Sequence, residues 1–231
     1  MLILTQKNDS TNVETKLDAI GIPFDIIKQI VMRGHFARST ATESHPNNSG
    51  GTFQWHEMIR SKRDLLKPLG WVKQDNNNKA LTVNPTRTIA LDISGGTKET
   101  GRAGSSPQTR NPKGEQTEKL VNFNHQQMQL FELNPVNNDT NTIDEYQTWI
   151  LLYCFEVIHG QREIRFELSL PTMMENGRIT GWNERIIFEP IYPDSFLDYS
   201  ITSTEPDPSE GKNKFSSDID LEISIKNEPT I

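Results

Sequence analysis

A single cysteine, Cys154, is all the thiol chemistry in 231 residues. No disulfide can form within the chain, and thiolates cannot build a structural zinc site. The five histidines, His35, His45, His56, His125 and His159, are scattered and share no metal-ligand spacing. Apolar runs are equally scarce. None approaches the ~18–20 residues that span a bilayer. The opening MLILTQKNDS joins too short an apolar stretch to no basic flank, so it does not read as a secretory signal. A membrane partner is not expected, and a reducing, cytoplasmic setting is. Motifs that name a reaction are missing as well: there is no G-x-S-x-G, no G-x-x-x-x-G-K-[ST] and no G-x-G-x-x-G. Cys154 lies in WILLYCFEVI, where apolar surroundings disfavour a thiolate nucleophile.

Hydrophobic residues make up 33% of the chain and the mean hydropathy is −0.64. These values predict a modest core carrying long polar loops. The formal net charge of −7 is unevenly placed. Residues 1–51 balance 5 basic against 5 acidic side chains; residues 52–130 hold 12 against 7, and residues 131–231 hold 7 against 19. A basic centre beside an acidic C-terminal region points to an interaction surface, or to regions that attract each other. A solvated acidic face that aids solubility is the plainer explanation.

Turn and cap signals divide the chain. A helix is expected from Ser10 or Thr11 to Gly21, a second from Pro23 to Arg38, and a third from Thr52 to Pro68. WVKQ and ALTV flank DNNNK as a hairpin, and RTIALDIS is the next strand. Residues 95–114 read as a long irregular loop, and residues 115–133 begin as a helix. NPVNNDTNT then marks a subdomain boundary. Beyond it, TWILLYCFEVI and REIRFELSL form a hairpin through HGQ, with further strands around 184–189 and 218–225. The predicted class is α+β: N-terminal helices in a winged-helix-like order, followed by a C-terminal antiparallel sheet. Residues 1–133 would form one region and 134–231 an acidic β region, unless the two are continuous.

The third helix poses the functional question. Trp55, Met58, Ile59, Leu65, Leu66 and Leu69 fall within an arc of about 120°. His56, Arg60, Arg63 and Lys67 form a narrow stripe beside it, and Lys62 falls inside the apolar arc, where it must snorkel or find an anion. In a winged helix this stripe would enter the major groove, and the hairpin tip with Asn76, Asn77, Asn78 and Lys79 would touch the backbone. Against that stands the connection of roughly 16 residues before the third helix, where helix-turn-helix units use about 3–4. A helix laid on a sheet with a solvated basic side is the simpler alternative.

Residues 95–114 add five glycines, with Lys98, Arg102, Arg110 and Lys113 against one acid, Glu99. Glycine lets backbone N–H groups approach an anion, and the cations add attraction. These observations imply a non-catalytic binding protein. His56, Arg60, Arg63, Lys67, Lys79, Lys98, Arg102, Arg110 and Lys113 would contact nucleic acid or another polyanion, with no cofactor. The acidic β region would face a protein partner, and a subunit of a multiprotein assembly is the second reading. A Mg²⁺-dependent nuclease is the third, with Asp92, Glu163 and Glu167 as its carboxylates. A charged, exposed strand face accounts for the last two equally well.

Overall fold

A computed structural model describes residues 10–76, 79–133 and 146–196. Helix α1, Ser10–Ile20, stops at Gly21, whose φ is +78°. The N–H groups of Gly21 and Ile22 both reach back to the Leu17 carbonyl, at 2.8 and 3.1 Å, a clasp that needs a left-handed residue. Pro23 then leads into α2, Phe24–Ser39. Helix α3, Ser49–Leu66, starts three residues before the expected Thr52, whose hydroxyl instead donates to the Asn48 carbonyl at 3.2 Å. It runs out through a 3₁₀ turn, Lys67–Leu69, at Pro68 and Gly70. Helices α2 and α3 meet at Gly34, where a Cβ would stand 2.3 Å from Met58 Cγ. Any side chain there would push the helices apart.

The strands are β1 (Val72–Asn76), β2 (Lys79–Val83), β3 (Ile89–Gly95), β4 (Gln147–Ile158), β5 (Gln161–Glu175) and β6 (Arg178–Ile187), with α4 (Glu115–Leu133) between β3 and β4. They form one six-stranded sheet in sequence order. All neighbours are antiparallel except β3 and β4, which run parallel from Ile89↔Gln147 to Gly95↔Tyr153. A parallel pair requires a crossover, and α4 supplies it. The fold is α+β, with four α-helices and a mostly antiparallel sheet among the described residues. That sheet takes strands from both sides of the expected boundary, with β3 paired to β4. The order of three helices and a hairpin is present, but the hairpin is the edge of this sheet and α3 packs on it. Thus α3 is a helix laid on a sheet.

Alternation sorts the strands between two layers. Leu91, Ile93, Trp149, Leu151, Phe166 and Leu168 face α1–α3 and share a core with Ile27, Ile30, Met58 and Leu66. On the other side, Val121 of α4 packs with Ile150, Leu152, Ile179 and Trp182. Asn124 pins the crossover helix: its Nδ2 donates to the Thr148 and Pro171 carbonyls, each at 3.0 Å, and its Oδ1 accepts from the Thr148 N–H at 2.9 Å.

The face of β5 expected to be wet is covered. Arg165 is 3% exposed, and Glu167 and Ser169 are fully buried. The cover is the loop 96–114, which is folded onto the sheet by side chains that bind its carbonyls. Arg165 donates to the Thr100 and Lys98 carbonyls at 3.1 and 2.9 Å, Trp182 Nε1 to Pro107 at 2.8 Å, and Arg178 to Thr109 at 2.8 Å. Glu167 anchors the other side of the contact. Its oxygens accept a bidentate pair from Arg185 at 2.9 and 2.6 Å, with Ser169 Oγ and the Gly101 N–H each at 2.8 Å. Gly101 has φ +71° and no room for a Cβ, which would lie 2.8 Å from Arg165 Cβ.

The expected strand 218–225, the linker around 134–142, and Asn77 and Asn78 of the hairpin tip lie outside the described residues. No described helix is long and apolar enough to cross a membrane.

Removing one partner of the buried Glu167–Arg185 pair leaves an uncompensated charge, which costs about 3–5 kcal/mol. Arg185→Met is therefore expected to lower unfolding stability by about that amount in a urea titration. A loss below about 1 kcal/mol would show that the pair does not hold the loop to the sheet.

Candidate polyanion-binding cleft

The ladder between β2 and β3 is short. Thr82 pairs with Leu91 and Val83 with Ala90, and past these residues the two strands part. Lys62 fills the fork. It leaves α3 inside the apolar arc, is fully buried, and its Nζ donates to the Ala80 carbonyl at 2.6 Å and the Leu91 carbonyl at 2.8 Å. The expected anion is thus a pair of backbone carbonyls, one from each diverging strand.

Charge accumulates around this point. Asp92 is 7% exposed and accepts from Lys79 Nζ at 2.8 Å and from the Ile93 N–H at 2.8 Å. Burial pushes the Asp92 carboxyl up, but the ammonium groups of Lys79 and Lys62 and these hydrogen bonds outweigh it and leave the carboxyl below its usual range. Burial also lowers Lys62, to about 7, against the opposing pull of Asp92. Lys113 is lowered by burial too, with Asp92 opposing and Lys79 adding to the fall. Three amines therefore share the field of one carboxylate, a net positive centre at the end of the sheet.

Beyond the fork, α3 and the β1–β2 hairpin enclose an open cleft of about 740 Å³. Trp55, His56, Ile59, Arg60, Arg63 and Asp64 line one wall, and Asp75, Lys79 and Ala80 line the other. The indole of Trp55 is 38% exposed and its ring lies 5.3 Å from that of His56. Arg60 donates to Glu57 at 2.6 and 2.8 Å and to Asp64 at 2.9 Å, all on the helix surface. Arg63 reaches across the cleft to Asp75, which also pairs with Lys73 at 2.8 Å. The Arg63 Nε–H, buried in the cleft wall, has no partner.

Four of the nine expected anion contacts thus converge: His56, Arg60, Arg63 and Lys79 line one cleft. Lys113 lies within reach of the same Asp92 field. Lys67 is displaced from the stripe, because Pro68 turns the chain into the 3₁₀ segment and leaves it exposed there. Lys98, Arg102 and Arg110 belong to a different neighbourhood, the covering loop. Arg102 lies 4.0 Å from Glu156, and Arg110 donates to the Gly96 carbonyl at 3.3 and 3.2 Å. A single field built from all nine does not form.

The three carboxylates of the nuclease reading are separately engaged. Asp92 serves Lys79, Glu163 serves Arg165 and Tyr192, and Glu167 serves Arg185. Among the described residues, no three His, Cys, Asp or Glu side chains group as metal ligands. Cys154 is buried, and burial pushes its thiol up, as an apolar strand would. Comparison with protein families, with curated proteins and with solved structures found no match.

The fork carries a pH signature. A lysine held near 7 when folded and near its ordinary value of about 10.5 when unfolded binds fewer protons in the folded state between those limits. Stability should therefore rise as the pH climbs from about 7 toward 10, and Lys62→Met should flatten that rise. Urea midpoints at pH 7 and pH 9 measure it. Equal pH dependence in the two proteins would show that Lys62 is charged throughout.

Proposed function

We propose that this protein is a non-catalytic binding protein that takes nucleic acid, or a comparable polyanion, into the cleft between α3 and the β1–β2 hairpin. One observation carries the reading: His56, Arg60 and Arg63 of α3 and Lys79 of β2 line the same open space. The roles follow from position. Lys79, backed by the net positive fork, provides the fixed attraction at one end. Arg63 offers an unused Nε–H beside its pair with Asp75. Exposed ion pairs of the Arg60 and Arg63 kind contribute only about 0–1 kcal/mol, so a phosphate can replace a carboxylate at small cost. Trp55 gives the cleft a half-exposed aromatic plate. A base stacks on such a plate without regard to its sequence, by about 1–3 kcal/mol. The geometry therefore favours a flexible single strand over a duplex groove, and backbone charge over base reading.

Filter binding of a labelled single-stranded oligonucleotide across a salt series is the test. Affinity should fall steeply with salt, and Arg60→Glu with Arg63→Glu should weaken binding at least tenfold. The salt slope of the double variant should shrink by about 1.4, the share of two phosphate contacts on a single strand. Trp55→Ala should weaken binding and leave the slope unchanged. Equal affinity and equal slope in wild type and the double variant would remove the cleft from the account.

A further inference from the structure

A second concentration of positive charge lies where α2 ends and α3 begins, and it shares no side chain with the cleft. Arg38, near the end of α2, has its guanidinium carbon 4.7 Å over the Phe155 ring. Its Nη1 donates to Gln54 Oε1 at 3.3 Å and lies 3.9 Å from where a Cβ on Gly51 would stand. Its Cγ lies 3.4 Å from the same point on Gly50. The side chain therefore lies across the first turn of α3, an 18-residue helix with no acidic residue in that turn and no side-chain cap from Asn48. The positive end of a helix dipole favours an anion, and here it meets a cation.

Arg110 adds to the excess. Its guanidinium carbon and the Tyr153 ring each lie 4.0 Å from where a Cβ on Gly95 would stand. Tyr153 shares a face of β4 with Phe155, which Arg38 covers, so the two guanidiniums border one stretch of β4. Burial and Arg110 both lower the Arg38 pKa, the mark of a cation lacking an acid. Among the described residues, neither arginine forms an ion pair: Arg38 is bonded to Gln54, and Arg110 to the Gly96 carbonyl and the Cys154 sulfur. The Gly50 and Gly51 N–H groups find no acceptor among those residues, as expected for a first turn. The independent sign is Gln54. It is 1% exposed, and the Arg38 Nη1 that reaches its Oε1 also lies 3.9 Å from the Cβ position of Gly51, which sets its amide beside the Gly50–Gly51 turn. Its Oε1 is used by Arg38, while its Nε2 is a buried donor with no partner.

We propose that this corner is a binding site for a compact oxyanion of the phosphate type, held between Arg38 and Arg110 and received by the Gly50 and Gly51 N–H groups. The glycines leave the first turn open to a tetrahedral group, and the guanidiniums give forked donors that match its oxygens. Gln54 Nε2 backs the site as a further donor. The phosphate is either a free anion or the terminal group of a nucleic acid strand. The chemistry is the same for both.

The test titrates the full chain with inorganic phosphate, against chloride at equal ionic strength, by calorimetry and by the rise in thermal midpoint. Saturable binding is expected. Arg110→Gln, an exposed position, and Arg38→Gln should each weaken it about tenfold or more, in line with loss of a charge-assisted hydrogen bond. Arg60→Glu with Arg63→Glu should leave it unchanged, which separates this site from the cleft. A second arm compares 5′-phosphorylated with 5′-hydroxyl oligonucleotides. A preference for the phosphorylated end that disappears in Arg110→Gln identifies a strand terminus as the source. Saturable phosphate binding with no end preference identifies the free anion. No response beyond chloride, or full affinity retained in Arg110→Gln, would overturn the proposal.

Discussion

A buried lysine amine at the point where two strands separate is the interaction on which the rest depends. Where β2 leaves β3, just past the Thr82–Leu91 pair, the Ala80 and Leu91 carbonyls stand beside the opening, and a buried carbonyl without a donor is costly. Lys62 supplies the donor for both. Taking a charge out of water costs several kcal/mol, and the two carbonyl dipoles and the nearby Asp92 carboxylate offset only part of it, which leaves the amine near 7. The consequence is geometric. With its open end satisfied, the β1–β2 hairpin stands away from β3 and faces α3, and the space between them is the cleft.

The opposite face shows the same economy in another form. The loop 96–114 has no regular ladder of its own, so its carbonyls are claimed individually by Arg165, Arg178, Arg185 and Trp182. Guanidinium groups suit this task, since each presents several donors in a fixed plane. Glu167 then balances the buried charge of Arg185. A loop rich in glycine and arginine thus becomes a rigid cover, and the cations that looked available for an outside ligand are divided. Lys98 and Arg102 lend their carbonyls to the sheet, while Arg110 turns to the corner shared with Arg38.

Much of the first half was legible from local punctuation. Gly21, Pro23, Pro68 and Gly70 mark helix ends where the chain does turn, and the alternation in WVKQ, ALTV and RTIALDIS places three strands. Helical spacing placed His56, Arg60 and Arg63 on one stripe, whereas their meeting with Lys79 depends on how the hairpin stands against α3, which no local pattern reports. The parallel pairing of β3 with β4 was not legible, because periodicity reports which side of a strand is buried and not which strand lies beside it. The wet face of β5 was misjudged for a related reason. Arg165 and Glu167 read as solvent-facing until the covering loop is known to satisfy them. Lys62 falls inside the apolar arc of α3, yet its carbonyl partners lie 18 and 29 residues away and carry no signature in the sequence. Asn176–Gly177 was a readable signal for the β5–β6 turn, with both residues at positive φ, and it sets the start of β6 at Arg178, earlier than the strand expected around 184–189.

Amide hydrogen exchange in the Lys62→Met variant tests the role of the fork most directly. If the Lys62 amine holds the parted strands, protection at Ala80, Leu81 and the rest of the β1–β2 hairpin should fall, while the β4–β5 pair keeps its protection. Unchanged exchange in the hairpin, or an equal loss over the whole sheet, would contradict the account.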